Sequence, residues 1–282
     1  YTTYETNTLL HVRDLNDKKY VLKIFSNENK WATECKVYLI LHLSDFKHIT
    51  KINQAGFWKQ YNYILFEDED LQQFPSFIDS NKYATEHAKI LGKTLRRIHN
   101  TPIETDKYGS ISDPKKQLPP LKIWHNLILK HEGILINGGI KKRTIDNISI
   151  VIDDEGSKYS KLKRPSLLHR DFRTENILYK PDKISNICVI DWEVASIGHP
   201  YLDMIKLVWF EFRNRIDLIE SFLIGYDDIA IKDDLASESF FFRYIFALEM
   251  VVYLLKKNIY LEDEMRFLGN LIDFLNSHLH KI

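Results

Sequence analysis

The chain has 282 residues, 44% of them hydrophobic and 28% charged, so it can bury one large core or two smaller ones. Its 39 lysines and arginines balance 39 aspartates and glutamates, and this formal net charge of +0 argues against a nucleic-acid-binding protein. The distant Cys35 and Cys188 argue against a disulfide framework, and the longest apolar stretch, which contains Glu249, is too short to span a bilayer. These features predict a cytoplasmic protein without a membrane partner.

The first third of the chain has the patterns of β-strands. Two runs, Asn7–Val12 and Tyr20–Phe25, are joined by a polar turn and predict a hairpin. Apolar residues at helical spacing follow over 31–43. A second pair of strands is predicted between residues 48 and 66, with Gly56 in its turn.

The character of the sequence changes from Asp68 onward. Apolar residues at helical spacing predict one helix over 84–99 and another over 121–133. Short apolar runs separated by polar turns predict small strands between Leu167 and Asp191. The chain from Tyr201 to Ile282 is predicted to be helical and is rich in Phe, Leu and Tyr.

The segment from Leu168 to Asn176 contains the pattern H-x-D-x-x-x-x-N in a turn between two apolar runs. Phosphoryl transfer needs a carboxylate that orients the attacking hydroxyl and accepts its proton, and it needs oxygen ligands for magnesium. Asp171 suits the first role, and Asn176 suits the second through its side-chain carbonyl oxygen. Arg173 could place a cation against the γ-phosphate as charge moves.

Two further positions extend this pattern. Asp191 ends an apolar run and opens the triplet D-W-E, and an acid at the end of a buried strand needs a partner such as a magnesium ion. Lys23 lies inside an early strand, from which its ammonium could reach the α- and β-phosphates. Glu34 on the following helix could orient that ammonium, with Glu28 as the competing acid.

The segments LLHRDFRTENILY and VIDWEVASIGHPYLDM together resemble the aminoglycoside phosphotransferase and choline kinase family. The resemblance implies an α+β, protein-kinase-like, two-lobed fold. A small antiparallel β-sheet lobe that binds the nucleotide would cover residues 1–67. A larger, mainly helical lobe over 68–282 would carry the catalytic loop, the metal site and the acceptor pocket.

The resemblance also assigns roles to the residues of the pattern. It implies that Asp171 is the catalytic base and that Asn176 and Asp191 bind Mg²⁺. It further implies that Lys23, paired with Glu34, holds the phosphates of ATP or GTP. The implied activity is transfer of the γ-phosphate to a hydroxyl of an aminoglycoside-like antibiotic, an amino alcohol or a sugar.

Supporting roles follow from the same resemblance. The backbone near Glu67 and Asp68 would receive the purine, and His169 and Asp203 would brace the catalytic loop. Because residues 1–6 contain no glycine, where the family usually has a Gly-containing loop over the phosphates, a catalytically inactive nucleotide-binding module stays open as an alternative.

The triplet His-Arg-Asp, where the family commonly has His-Gly-Asp, raises a second alternative, a protein kinase. Protein kinases, however, carry D-F-G where this chain has D-W-E, and their activation segment ends in A-P-E. No A-P-E occurs in this sequence before the helical C-terminal region. The small-molecule kinase is therefore the favoured hypothesis.

Overall fold

The structure is a computed structural model that describes residues 7–77, 83–162, 165–180, 183–213, 215–227, 239–257 and 262–277. The glycine-free residues 1–6 lie outside these ranges. The chain divides into two compact units, the first formed by Tyr1–Glu104, Ser110–Lys116 and Ser166–Asp228, the second by Thr105–Gly109, Gln117–Pro165 and Ile229–Ile282. The lobe boundary between residues 67 and 68 stays a prediction. Within the described ranges, no helix is long and apolar enough to cross a membrane.

The described residues form short strands and longer helices. The strands are β1 (Thr8–Arg13), β2 (Lys19–Phe25), β3 (Ile52–Trp58), β4 (Tyr61–Glu67), β5 (Gln72–Gln73), β6 (Tyr108–Ser110), β7 (Gln117–Leu118), β8 (Ser166–Leu168), β9 (Ile177–Lys180), β10 (Lys183–Val189) and β11 (Ser196–Gly198). The helices are α1 (Glu28–Leu43), α2 (Ala84–His99), α3 (Pro120–Asn137), α4 (Lys142–Leu162), α5 (Tyr201–Lys206), α6 (Ile216–Tyr226), α7 (Ser239–Lys257) and α8 (Glu262–Ser277).

The first unit contains an antiparallel sheet in the order β1-β2-β4-β3. The predicted hairpin of β1 and β2 is confirmed, and Lys23 and Phe25 are buried on β2. Helix α1 begins after Asn27, whose side chain accepts hydrogen bonds from the backbone N–H groups of the first turn. Its buried face carries Glu34 at helical spacing from Val37 and Leu41, so the sheet and the helix place Lys23 and Glu34 in one interior.

The second hairpin differs from the prediction at its turn. Gly56 lies inside strand β3 and pairs with Tyr63, while the turn falls at Lys59 and Gln60. Lys59 adopts the left-handed backbone conformation, with φ of 54°, that favours glycine. The prediction that Gly56 forms the turn was wrong because the strand pairing, in which Ala55 lies opposite the buried Ile64, extends β3 beyond the glycine.

Two helices of the first unit pack through glycines. A Cβ atom on Gly92 of α2 would lie 2.1 Å from the carbonyl oxygen of Phe222 on α6, and one on Gly225 of α6 would lie 2.0 Å from the carbonyl oxygen of Lys89. Any side chain at either position would therefore clash with the backbone of the other helix. This close packing holds α2, a predicted helix that the structure confirms, so that its last residue, His99, is buried.

The short strands predicted between Leu167 and Asp191 are also confirmed. Strand β9 pairs with β10 on one side and with β5 on the other, and β8 pairs with β11. Within the first unit, the loop between β8 and β9 carries the H-x-D-x-x-x-x-N pattern, and the loop after β10 carries D-W-E. Both loops begin where a buried strand ends.

The second unit is mainly helical and has an aromatic core. Trp124 on α3 contacts Phe241 and Phe242 on α7, with ring centroids 4.9 and 6.1 Å apart. Gly156 lets α4 approach α3, because a Cβ atom there would lie 3.1 Å from the Trp124 ring. The predicted helix over 121–133 is confirmed as part of α3, whereas α4 was not predicted. With antiparallel strands in the N-terminal region and a larger helical part, the predicted α+β class is confirmed.

Candidate active site

The loop between β8 and β9, residues 169–176, is the predicted catalytic loop, and a buried carboxylate anchors it. Asp203 on α5 accepts hydrogen bonds from the backbone N–H groups of His169 at 2.8 Å and Arg170 at 2.7 Å. The ring Nε2 of His99 lies 3.2 Å from the same carboxylate. Burial acts to raise the pKa of Asp203, but the hydrogen bond and charge of His99 and the contacts with His169 outweigh it and hold that pKa below its ordinary value. Arg170 is thereby held at φ of 69°, the left-handed region in which glycine is unstrained.

His169 joins the two loops of the site. Its Nε2 donates to the carbonyl oxygen of Ile190 at 2.9 Å, and its Nδ1 accepts from the backbone N–H of Asp171 at 3.2 Å. Burial lowers the pKa of His169, so the imidazole is neutral and carries its proton on Nε2. These are the contacts expected of a residue that braces the catalytic loop.

The carboxylate of Asp171 is held from two sides. Its Oδ1 accepts from the ammonium of Lys206, and its Oδ2 accepts from Nδ2 of Asn176 at 2.9 Å. Burial acts to raise the pKa of Asp171, but the charge and the hydrogen bond of Lys206 prevail and lower it. Because 29% of the side chain is still exposed, the ionised carboxylate is accessible to an incoming hydroxyl group.

Asn176 has one side-chain atom left for a cation. Both hydrogen bonds described for its amide use Nδ2, which binds the carboxylate and the backbone carbonyl of Asp171. This leaves Oδ1 as the oxygen that could bind a metal. The backbone carbonyl of Asn176 accepts from the N–H of Ile190 at 3.0 Å, which brings Asn176 next to the loop that begins with Asp191.

Lys23 lies at the centre of a buried ionic cluster. Its Nζ is 2.6 Å from Oε2 of Glu34 and 2.6 Å from Oδ1 of Asp191. Burial acts to lower the pKa of Lys23, but the carboxylates of Glu34 and Asp191 outweigh it, so the ammonium stays charged. Burial raises the pKa of Glu34 to about 7 although Lys23 opposes the shift. The structure therefore brings together the lysine and the glutamate that the sequence predicted as a pair.

Glu193, the glutamate of D-W-E, completes this cluster. Its carboxylate lies 3.3 Å from Lys23 Nζ and 2.9 Å from Lys30 Nζ, and it also accepts from the side-chain amide of Asn7. Burial acts to raise the pKa of Glu193, but the two lysines prevail and lower it. No role was predicted for Glu193.

The donor set of the cluster fits a hard divalent cation. Oxygen atoms of Glu34, Asp191 and Glu193 lie within 4.8 Å of one another, and 38% of the Asp191 side chain is exposed. Magnesium prefers such carboxylate oxygens and keeps several water molecules. Among the described residues that make up this cluster, three carboxyl groups face two ammonium groups, so a bound cation would balance the negative charge that remains once Glu34, with its pKa of about 7, is ionised. The backbone hydrogen bond from Ile190 to Asn176 places Asn176 next to the loop that carries Asp191, and a role of its Oδ1 as a metal ligand stays a prediction.

The guanidinium of Arg173 is paired with a neighbouring glutamate. Its guanidinium forms a two-pronged ion pair with Glu175, in which Nε lies 2.6 Å from Oε2. The Arg173 side chain is 41% exposed, and its pKa is raised chiefly by this partner. A role of Arg173 at the γ-phosphate stays a prediction.

The predicted purine-binding residues lie at the end of β4. The backbone N–H of Glu67 donates to the carbonyl of Lys51 at 2.9 Å, and that of Asp68 donates to the carbonyl of Lys19 at 3.2 Å. The side chain of Glu67 pairs with Lys18. Binding of a purine by the backbone near Glu67 and Asp68 stays a prediction, and in the structure both of these N–H groups are already engaged.

Lys206 is the principal residue that was not predicted. It lies three residues after Asp203 on α5, and this i,i+3 spacing would have indicated that both side chains face the catalytic loop. Glu211, which accepts from the hydroxyl of Thr174 at 2.8 Å, was missed as well.

Comparison with known proteins identifies the family. Residues 6–241 match the phosphotransferase enzyme family, and the chain belongs to it. Acyl-CoA dehydrogenase family member 11 of Homo sapiens is 43% identical over 50 residues, which are 18% of this chain and 6% of that protein. The chain thus matches only a small fraction of the length of this curated relative.

Solved structures share the fold. Spectinomycin phosphotransferase APH(9)-Ia, in complex with ADP and spectinomycin, aligns with a TM-score of 0.59 at 16% identity over 100% of this chain and 92% of that one. Choline kinase LicA from Streptococcus pneumoniae aligns with a TM-score of 0.64 at 16% identity over 99% and 92%. These similarities confirm the predicted protein-kinase-like, two-lobed fold class.

Proposed function

We propose that this chain transfers the γ-phosphate of ATP or GTP to a hydroxyl group of a small molecule in a reaction that depends on Mg²⁺. The observation that carries the proposal is the arrangement around Asp171. An ionised, partly exposed carboxylate, held by Lys206 and Asn176, stands next to a loop whose acids could bind a metal. A site for phosphoryl transfer needs these two parts side by side.

The donor nucleotide would bind at the Lys23 cluster. Glu34 orients the ammonium of Lys23, which would hold the phosphates, since a buried ammonium is a strong partner for phosphate oxygens. Asp191, Glu193 and Asn176 would hold the Mg²⁺ ion. When bound, the ion neutralises phosphate oxygens and thereby favours the approach of a hydroxyl oxygen.

Asp171 would act on the acceptor. Its carboxylate accepts a hydrogen bond from the hydroxyl group at about 3 Å and takes the proton as the oxygen attacks. The new bond joins this oxygen to the γ-phosphorus, and the bond from the γ-phosphorus to the β,γ-bridging oxygen breaks. The products are the phosphate ester and the nucleoside diphosphate, and the proton on Asp171 is later lost to solvent.

The acceptor class rests on the family and the fold. The structural relatives include proteins named for spectinomycin and choline. Both compounds carry a hydroxyl group and a cationic nitrogen, which is a protonated amine in spectinomycin and a quaternary ammonium in choline. We therefore infer that the acceptor is an aminoglycoside-like antibiotic, an amino alcohol or a sugar. The fold alone does not choose among these classes.

A coupled assay of nucleotide turnover tests the proposal. Purified protein would be given ATP or GTP, with Mg²⁺ or with a chelator, and a panel of aminoglycosides, spectinomycin, choline, ethanolamine and simple sugars. The expected result is Mg²⁺-dependent turnover that one acceptor class stimulates. Nucleotide binding without turnover on any acceptor would favour the inactive binding module, and turnover on a protein substrate alone would favour the protein kinase.

A further inference from the structure

Lys206 places an ammonium group against the catalytic carboxylate. It is the last residue of α5, and its Nζ donates to Oδ1 of Asp171. Only 17% of its side chain is exposed. A lysine ammonium has three donors and no acceptor, so the ion pair with Asp171 leaves it able to bind further oxygen atoms.

The backbone beyond Lys206 fixes this position. Residues Leu207–Glu211 form a π-helical segment directly after α5, a rare geometry that often occurs at functional sites. The residue before this segment and its last residue both contact the catalytic loop, since Lys206 binds Asp171 and Glu211 accepts from the hydroxyl of Thr174. The ammonium is therefore held relative to the loop by two independent contacts.

Negative charge that develops on the transferring phosphoryl group is stabilised by a nearby cation. Arg173, two residues after Asp171, is paired through two contacts with Glu175 and is more exposed than Lys206. Recruiting Arg173 would require this pair to break. Lys206 already lies one hydrogen bond from the carboxylate that would receive the acceptor proton, so it borders the path of the transferring phosphoryl group.

We propose that Lys206 is a catalytic residue that binds an oxygen of the transferring phosphoryl group while it holds Asp171 in place. This inference rests on the proposed function. Lys206 contributes a hydrogen bond only and takes no covalent part in the reaction. Charge that develops on the phosphoryl oxygens is met by an ammonium that is already in position, which is the usual form of electrostatic stabilisation in enzymes.

The test compares binding of a diphosphate with binding of a triphosphate analogue. The dissociation constants of MgADP and of Mg–adenylyl imidodiphosphate are measured by calorimetry. The ratio of the MgADP constant to the constant of the triphosphate analogue reports how much affinity the γ-phosphate adds. The variants are Lys206→Met, which keeps the length but removes the charge, Lys206→Arg, which restores a cation, and Arg173→Met. Lys89→Met, at an exposed position on α2, is the control. No acceptor is needed for this measurement.

We expect Lys206→Met to lower the ratio about tenfold, the loss of one charge-assisted hydrogen bond, while the MgADP constant changes by less than about threefold. Lys206→Arg should restore most of the ratio, and Arg173→Met and Lys89→Met should leave it near the wild-type value. With an acceptor that supports turnover, kcat of Lys206→Met should fall about 100-fold.

Three results would overturn the inference. The first is an unchanged ratio in Lys206→Met, and the second is a fall of the ratio in Arg173→Met alone. The third is an equal loss of MgADP affinity in the Met and Arg variants, which would assign Lys206 to structural support. If the wild-type chain bound neither nucleotide, the proposed function would fail and the inference with it. If the wild type binds both nucleotides, a change in the ratio of the variants tests the role of Lys206 alone.

Discussion

Replacing Asp203 by Asn should loosen the catalytic loop. The buried carboxylate accepts from the backbone N–H groups of His169 and Arg170 and lies within hydrogen-bond distance of His99. An asparagine has one acceptor oxygen, so its NH₂ group would face one of these donors and leave it unsatisfied. Losing one hydrogen bond to a charged group costs about 1.5–3 kcal/mol, and the orphaned buried donor costs about 1–3 kcal/mol more. The neutral asparagine no longer carries the cost of a buried charge, which offsets part of this sum. We therefore expect the loop to lose about 3 kcal/mol of local stability.

Hydrogen exchange followed by mass spectrometry measures this loss locally. Peptides that contain the backbone amides of residues 169 and 170 should exchange roughly 100-fold faster in Asp203→Asn than in the wild type, because about 1.4 kcal/mol corresponds to a factor of ten. Asp217→Asn is the matched control, since Asp217 forms a half-exposed ion pair with Arg215 and should change little. Exchange of the loop that is unchanged in Asp203→Asn would refute the argument that this carboxylate anchors it.

The effect of Asp203→Asn should also depend on pH in a definite direction. Because the pKa of Asp203 is lowered in the folded protein, its carboxylate stabilises the fold at pH values above the unfolded pKa of about 4. That contribution is lost as the pH falls from about 4 through the lower, folded pKa. The difference in stability between wild type and variant should therefore be constant near neutral pH and shrink in acid. A difference that grows in acid would contradict this assignment.

Three further changes test the packing and the proposed nucleotide site. Gly92→Ala should destabilise the protein by more than about 2 kcal/mol, because its Cβ atom would overlap a backbone carbonyl. Gly133→Ala, in an open helical position, is the control and should be neutral or stabilising by up to about 1 kcal/mol. Thermal unfolding of the two variants compares these effects. Lys23→Met should raise the dissociation constant of MgATP about 10- to 100-fold, as calorimetry would show, and unchanged affinity would exclude a contact of Lys23 with the phosphates. Glu193→Gln should weaken binding of Mn²⁺, used as a paramagnetic substitute for Mg²⁺, at least about tenfold, because the site loses one of its charged ligands, and equal affinity would remove Glu193 from the metal site.

Local patterns were sufficient to predict the strand and the helix that carry Lys23 and Glu34. The pattern of β2 indicated a strand that contains Lys23, and apolar spacing indicated the helix that follows. The choice between Glu28 and Glu34 depends on the helical phase. Glu34 lies on the face buried with Val37 and Leu41, whereas Glu28 lies exposed in the first turn. A sequence shows this phase when the apolar residues are regularly spaced.

Contacts that depend on irregular backbone were not predictable in the same way. Glu211 is the last residue of a π-helical segment, whose wider turn shifts the faces of the helix away from a 3.6-residue period. Gly56 was assigned to a turn because glycine is common there, but the pairing of β3 with β4 determined the turn instead. In both cases contacts between distant segments decided the local geometry.

The most direct test of the central claim is to replace Asp171 by Asn and to measure transfer and nucleotide binding together. With the acceptor that gives the highest turnover, kcat should fall about 10³-fold, the usual contribution of a general base, while the dissociation constant of MgATP stays within about threefold of the wild-type value. Asp217→Asn serves as the control that should transfer normally. If Asp171→Asn kept most of the wild-type kcat, Asp171 would not be the base, and the proposed reaction at this site would be contradicted.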